Sequence, residues 1–214
     1  MVEPCVGHNN HILLYPVLFL LQTTGKNRQL VWPRKEILMT DEFESRLDGR
    51  LGIRDINEIL SLMSSSESFR DSMIETALTD IGRRGANALW CLTHYGKADA
   101  ESLQPFQDRL IDKLLANPPV SQKRMILQIL RGQTFSADTV RSDLFDYCLS
   151  KINAECEPYA VRCFSLYIAY EICRVIPELM TELNERLELL SFQDLSPGLK
   201  CARRKIAEKI RKKK

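Results

Sequence analysis

Residues 118–130, "PPVSQKRMILQIL", carry the pattern from which the architecture of the chain follows. Two prolines, which suit the start of a helix, precede a basic pair formed by Lys123 and Arg124, and an apolar run comes after the pair. Positive charge near a helix N-terminus is mildly unfavourable because the helix macrodipole is positive there. The basic pair therefore needs a reason beyond the helix itself.

The same arrangement occurs again around Arg162 and Lys200, which follow Lys123 at intervals of 39 and 38 residues. In all three places apolar residues stand 17 and 13 positions before the basic residue and 2 and 6 positions after it. A proline stands three or four positions before each basic residue. A period of this length is typical of stacked two-helix repeats.

Within each repeat the apolar residues have helical spacing. Two stripes of this kind consist of Leu103, Phe106, Leu110, Leu114 and Leu115 and of Leu179, Leu183, Leu187 and Leu190. Each repeat is thus predicted to be a first helix, a short turn that contains proline, and a second helix. The predicted fold is all-α, a short α-α superhelix of antiparallel helix pairs, and the low content of 9 Gly and 9 Pro agrees with it.

Helix starts are predicted at two further places. Ser196 and Pro197 suit the N-cap and the first helical position of a helix. Ser64 with Glu67 fits a capping box ahead of "SFRDSMIETAL". Three or four stacked helix pairs are expected in all.

Four stretches resemble small bacterial HEAT-like repeat proteins, namely "ALWCLTHY", "PPVSQKRMILQIL", "EPYAVRCFSLYIAYEI" and "PELMTELNERLELL" with "SPGLKCARRKI". The resemblance covers residues 55–212 and implies the stacked architecture but no chemistry, because solenoid repeats specify stacking. The pattern departs from the usual one at "RRGANALW", where Gly85 and Asn87 weaken the helix. This helix is interpreted as the second helix of a degenerate first repeat.

Two interpretations of the recurrent basic residues stay open. The resemblance implies that Lys123, Arg162 and Lys200 form a structural ladder, in which each cation pairs with an acidic group or with carbonyls of a neighbouring repeat. In the other interpretation the cations face a ligand. The candidate partner-binding residues are then Arg84, Lys123, Arg124, Arg162, Lys200, Arg203 and Arg204.

The charge of the chain is distributed unevenly although the formal net charge is only +2. Residues 200–214 hold nine basic residues and one acidic residue, Glu208, whereas residues 39–199 hold 17 basic and 25 acidic residues. Helical apolar spacing continues to Ile210, so residues 211–214 are the predicted basic tail. Such a tail attracts phosphates in a salt-dependent way, while the acidic body repels them unless its cations share a face.

The sequence predicts no catalytic, cofactor-binding or metal-binding residues. The seven cysteines include no CxxC pair and lie mostly in apolar helical stretches, which suits free thiols in a reducing cytoplasm. Cys91 and His94 have the spacing of half a metal site, but no further ligands accompany them. Trp90, with Tyr95 nearby, could be a stacking surface, although a packed tryptophan is the favoured interpretation. Phosphate-binding glycine motifs are absent.

The first 38 residues are predicted to form a separate N-terminal extension. "HILLYPVLFLL", residues 11–21, has the length of a signal core, but its flanks lack the basic residues and cleavage site of a secretory signal, and it is short for a membrane span. The purine-rich codons possible for residues 34–36 suggest a ribosome-binding site and translation from Met39. The expected organisation is thus an extension over 1–38, a HEAT-like repeat domain over 39–210 and a basic tail over 211–214, in the cytoplasm and without membrane attachment.

The favoured function is a non-enzymatic binding or scaffold module for a protein or peptide partner, since stacked helical repeats offer an extended surface and no catalytic set is visible. The alternative is a nucleic-acid-binding protein that uses the basic residues of the second helices and the basic C-terminus.

Overall fold

The structure is a computed structural model and describes residues 45–212, apart from the side chains of residues 97 and 98. Within this range residues 45–48 are helical, and they are followed by α1 (Ile53–Ser65), α2 (Glu67–Thr79), α3 (Arg83–Ala98), α4 (Gln107–Leu115), α5 (Val120–Leu130), α6 (Ser142–Ile152), α7 (Tyr159–Val175), α8 (Met180–Leu189) and α9 (Pro197–Arg211). Short 3₁₀ helices occupy Glu101–Phe106, Pro177–Leu179 and Leu190–Phe192. The predictions for residues 1–38 and for residues 213–214 lie outside the described residues.

The helices form two layers. The first helices α2, α4 and α6 pack against the second helices that follow them, α3, α5 and α7. Consecutive second helices from α1 to α9 also pack side by side, and so do consecutive first helices from α2 to α8. The predicted all-α architecture of stacked helix pairs is confirmed. No helix in the described part of the chain is long and apolar enough to cross a membrane.

One continuous apolar core lies between the two layers. The predicted stripes supply it, because Leu103, Leu110 and Leu114 are buried from one and Leu183, Leu187 and Leu190 from the other. In α9 the buried residues are Leu199, Ala202, Ile206 and Ile210. The last helix thus belongs to the stack up to Ile210, as its spacing predicts.

Residues with special backbone roles mark the turns between paired helices. After α4 the chain reverses at Asn117, whose φ of 57° is tolerated by Asn better than by most residues. Ser196 caps α9, because its Oγ accepts a hydrogen bond from the Leu199 N–H at 3.4 Å, and Pro197 begins the helix as predicted. The predicted capping box of Ser64 and Glu67 is wrong, since the cap of α2 is Ser66, which accepts from the Phe69 N–H at 3.3 Å.

The unusual residues of "RRGANALW" have a structural cause. Helix α3 approaches the preceding turn so closely that a Cβ at Gly85 would lie 1.9 Å from the backbone oxygen of Asp80. Asn87 donates from Nδ2 to the carbonyl oxygens of Leu47 at 2.7 Å and Gly49 at 2.9 Å. The weak helix formers are thus required by the packing of α3 on its neighbours.

The contact at Gly85 gives a first prediction. The Gly85→Ala variant should lose about 2–3 kcal/mol of stability, because its new methyl group meets a backbone oxygen that cannot move without displacing the turn. Gly198→Ala is the matched control, since nothing lies within 4 Å of its Cβ position in α9 and alanine favours a helix. Thermal unfolding followed by circular dichroism measures both, and equal melting temperatures would contradict the close approach.

Candidate functional site

Lys123, the first of the recurrent basic residues, is buried at the start of α5. Its side chain is 7% exposed and its Nζ lies 3.3 Å from Glu157 Oε1, in the turn between α6 and α7 of the next pair. Lys151 Nζ lies 3.0 Å from the same oxygen. Burial works to raise the pKa of Glu157, but the hydrogen bonds and charges of Lys151 and Lys123 outweigh it and leave that pKa below its usual value. The position of Lys123 fits the structural interpretation.

Arg162 is buried at the start of α7, with 2% of the residue exposed. Its Nε donates to the carbonyl oxygen of Ile152 at 2.9 Å, at the end of the paired first helix. Its Nη2 donates to Oε1 of Gln193, in the turn of the next pair. The guanidinium thus satisfies a helix-end carbonyl and connects two repeats, so it is not available to a partner.

The third member of the predicted ladder is displaced by three residues. The Lys200 side chain is 63% exposed and has only a long ion pair of 3.7 Å with Asp194. Arg203 takes the structural position instead, because its Nε donates to the carbonyl oxygen of Leu187 at 2.8 Å, as Arg162 does to Ile152. One helical turn separates the two residues, so the sequence frame that fits Lys123 and Arg162 is shifted in the last pair.

Neutral amides complete the ladder and were missed by the sequence reasoning. Gln122 Nε2 donates to the carbonyl oxygens of Asp80 at 3.3 Å and Gly82 at 3.1 Å, and Gln193 Nε2 donates to that of Asn153 at 3.0 Å. Together with Asn87, Lys123 and Arg162 they join each turn between paired helices to the next one. We call these five side chains, Asn87, Gln122, Lys123, Arg162 and Gln193, the turn ladder. The amide bonds of Asn87 to Leu47, Gln122 to Gly82 and Gln193 to Asn153 each span 40 residues, about one repeat period.

The turn ladder is supported by a buried lysine in the first-helix layer. Lys113 Nζ donates to the carbonyl oxygens of Ala77 and Asp80, both at 2.6 Å. Burial lowers its pKa, which the charge of Asp80 opposes. Carbonyls at a helix C-terminus lack partners within their own helix, and a cation of the next repeat supplies the donor here.

The remaining candidate residues lie at the surface. Arg84 is half-buried and pairs with Asp48 through Nη2 at 2.6 Å. Arg124 and Arg204 are exposed, and their side chains make no hydrogen bond or ion pair with any residue from 45 to 212. Adjacent residues in one helix, Lys123 and Arg124, thus have opposite roles, one inside the stack and one facing solvent.

Exposed charges differ in sign between the two layers. On the first helices α2, α4, α6 and α8 the exposed charged residues are acidic except for Arg109, namely Glu67, Asp71, Glu75, Asp108, Asp112, Asp143, Asp146, Glu182, Glu185 and Glu188. On the second helices α1, α3, α5, α7 and α9 the exposed charged side chains described are basic except for Glu58 and Glu208, namely Arg54, Arg83, Arg124, Arg174, Lys200, Arg204, Lys205, Lys209 and Arg211. Most exposed cations on the described helices therefore lie in the second-helix layer.

Aromatic side chains lie in the middle of the basic layer. The Arg131 guanidinium, just after α5, lies 4.3 Å from the ring centroid of Tyr167 and 5.7 Å from that of Phe164, both on α7. Arg131 is exposed and also lines a cleft of about 310 Å³ between the ends of α3 and α5. Arginine and aromatic side chains are enriched among the residues that dominate the energy of protein–protein binding. An arginine stacked on aromatic rings beside a cleft is therefore a candidate contact for a protein partner.

The side chains considered for chemistry are parts of the core. Cys91 is buried in α3, and desolvation raises the pKa of its thiol to about 12, which opposes thiolate formation. Trp90 packs against the core and meets His94 edge to face with ring centroids 6.0 Å apart. Among the described residues no group of three His, Cys, Asp or Glu side chains could hold a metal ion.

The comparison with protein families agrees with this geometry. Residues 43–210 match a family model described as a HEAT repeat domain. The chain belongs to this HEAT repeat family. No curated protein and no solved structure matches it. The family match extends over the helix pairs from the helical residues 45–48 to Ile210 of α9, so the whole described stack is a HEAT repeat array.

The buried position of Arg162 gives a second prediction. Arg162→Met removes the donor of the Ile152 carbonyl and of Gln193, so it should destabilise the protein by about 3 kcal/mol. Arg204→Met, on the exposed surface of α9, should change stability by less than about 0.5 kcal/mol. Urea unfolding compares the two variants, and similar midpoints would refute a structural role for Arg162.

The lowered pKa of Glu157 gives a third prediction. Since the folded state depresses the pKa of this carboxyl, its contribution is present above the usual value of 4.5 and is lost as the pH falls through the lower folded value. The Glu157→Gln variant should therefore lose stability at pH 7 and show a weaker decline below about pH 4.5. Denaturant midpoints measured at a series of pH values test this, and parallel pH profiles for both proteins would contradict it.

Proposed function

We propose that this HEAT repeat protein is a non-enzymatic scaffold that holds an acidic segment of a partner protein against its second-helix layer. The observation that carries the proposal is the basic surface of that layer, with Arg131 held over Tyr167 and Phe164 beside a cleft. Arg124 lies two helical turns before Arg131 on the same helix face, so both guanidinium groups point to the same side.

Charge complementarity selects the chemistry of the partner. The exposed acidic residues of the first-helix layer repel an acidic segment, and the exposed cations of the second-helix layer attract it. A stacked guanidinium keeps its hydrogen-bonding edge free for a carboxylate, because the rings contact only its flat face. Arg124, Arg131 and Arg204 are the proposed contacts, while Lys123 and Arg162 serve the stack.

The proposal is tested by capture of a partner from a native lysate of the source cells with the full chain. The double variant Arg124→Glu, Arg131→Glu should recover about tenfold less of the partner, because two surface attractions become repulsions. The matched control is Asp146→Lys, which reverses an exposed charge on the first-helix layer. Circular dichroism checks that all variants keep their helix content.

Nuclease treatment separates the proposal from nucleic-acid binding. Recovery of a defined protein that persists after nuclease, and weakens with salt, supports the scaffold. Recovery that disappears after nuclease contradicts it and favours binding of phosphates by the same cations. Equal recovery by the double variant and by Asp146→Lys would also overturn the proposed surface.

A further inference from the structure

The large apolar side chains left exposed within residues 45–212 all lie beside turns that join a first helix to a second helix. They are Ile53 (62% exposed), Ile81 (72%), Val120 (50%), Tyr159 (53%), Leu189 (49%) and Phe192 (87%). Single exposed apolar residues are common, but these recur with the repeat, since Ile81, Val120 and Tyr159 are 39 residues apart. We call the surface formed by the five turns between paired helices, residues 49–52, 80–82, 116–119, 153–158 and 190–196, the turn edge.

The turns of the turn edge are fixed side by side by the turn ladder. The five turns are numbered in chain order. Asn87 ties the second turn to the first, Gln122 ties the third to the second, and Gln193 ties the fifth to the fourth. Lys123 connects the third turn to the fourth through Glu157. The exposed apolar side chains therefore stand in one ordered row.

The size of this row suits a protein interface. Packed helices lie 8–10 Å apart, so five stacked units span about 40 Å, and two helix layers are about 20 Å deep. A strip of about 800 Å² results, which is the area that each partner buries in an interface of standard size.

The two ends of the turn edge carry opposite unpaired charges. Near the first two turns the side chains of Arg50, Arg54 and Arg83 are exposed and make no hydrogen bond or ion pair with residues 45–212, whereas the exposed Asp48 is paired with Arg84. Near the last two turns acidic charges predominate, because Glu155 and Glu188 have no side-chain partner among residues 45–212 and Asp194 has only the 3.7 Å contact with the exposed Lys200. The middle turn carries only neutral residues.

We propose that the turn edge binds the turn edge of a second copy of this chain in an antiparallel homodimer. A twofold axis at the third turn brings Val120 against the partner's Val120. Ile81 then faces the partner's Tyr159, and Ile53 faces the partner's Phe192. The same axis places the basic first two turns opposite the acidic last two, so that the apolar row and the charges are both self-complementary.

A cleft beside Ile81 fits this arrangement. It has a volume of about 330 Å³ and lies between the second and third turns, where Leu78, Ile81, Ala116 and Pro118 supply apolar lining. The antiparallel register places the partner's Tyr159 opposite this cleft. Thr79, Arg109, Asp112 and Lys113 also line the cleft, and a half-exposed tyrosine, with its apolar ring and hydrogen-bonding hydroxyl, suits a recess of this mixed lining.

Sedimentation of the full chain over a concentration series tests the homodimer. The wild-type chain should sediment as a dimer at about 100 μM or below, and Val120→Asp should raise the dimer dissociation constant at least about tenfold. Aspartate is favoured in the first turn of a helix, so Val120→Asp leaves α5 intact. The control is Ala137→Asp in the connection between α5 and α6, at the opposite edge of the stack.

Charge-reversal variants test the antiparallel register of the proposed dimer. Arg83→Glu should weaken the dimer about fivefold, and Arg83→Glu combined with Glu155→Arg should restore it, because the pair is rebuilt with reversed signs. An unchanged dimer for Arg83→Glu, or a charge-swapped double variant no tighter than Arg83→Glu alone, would overturn the antiparallel register, because Arg83 would then not face Glu155 of the partner subunit. A wild-type monomer at about 100 μM, or a dimer that Val120→Asp leaves unchanged, would overturn the proposal.

Val120→Asp tests the dimer only if the variant is folded, which its helix content shows. Should circular dichroism show that Val120→Asp unfolds, Tyr159→Ser replaces it, since Tyr159 is half-exposed and its loss leaves no cavity in the core. Retention of the dimer by a folded Tyr159→Ser chain then counts against the turn edge.

Discussion

Helix-end carbonyls that are buried between repeats are the constraint on which this structure depends. Every first helix ends where its second helix begins, and the last carbonyls of an α-helix have no partner within the helix. At these turns the stack excludes much of the water that would otherwise satisfy them, so donors must come from side chains. Lys113, Gln122 and Arg162 supply these donors from the following or paired helices, and the hydrogen bonds fix one repeat against the next.

The basic residue near the start of α5 has its explanation in the same constraint. Lys123 is unfavourable for its own helix, but its charge is offset by Glu157 from the next repeat, and the pair is nearly buried. Lys123 therefore stabilises the contact between two repeats and not its own helix. Its neighbour Arg124 points to solvent, because successive residues of a helix are rotated by about 100°. Only the second of these two positions is available for recognition.

The helical architecture was predictable because apolar spacing and the 39-residue period report burial directly. The residues whose roles depend on the path of a turn were not predictable from apolar spacing or from the repeat period. The connection before α9 contains the 3₁₀ helix Leu190–Phe192, and with it the carbonyl-binding role moves from Lys200 to Arg203. In the sequence Gly85 and Asn87 only weaken a helix. Their roles, the close approach to Asp80 and the hydrogen bond to Leu47, depend on how the chain folds back on itself. Sequence spacing also gave no way to distinguish the buried Lys123 from the exposed Arg124.

Arg131, the stacked arginine of the proposed partner surface, lies away from the proposed turn edge, and this separation has a consequence for affinity. Val120 is at the start of α5 and Arg131 directly follows its end, about 16 Å away along the helix axis. A homodimer through the turn edge thus leaves Arg131 of both copies free. Individual attractions between surface charges are weak and screened by salt, but two identical sites in one assembly bind a partner with repeated acidic segments much more tightly than one site does. In the proposed dimer, a modest basic surface would thus become selective for a partner with repeated acidic segments.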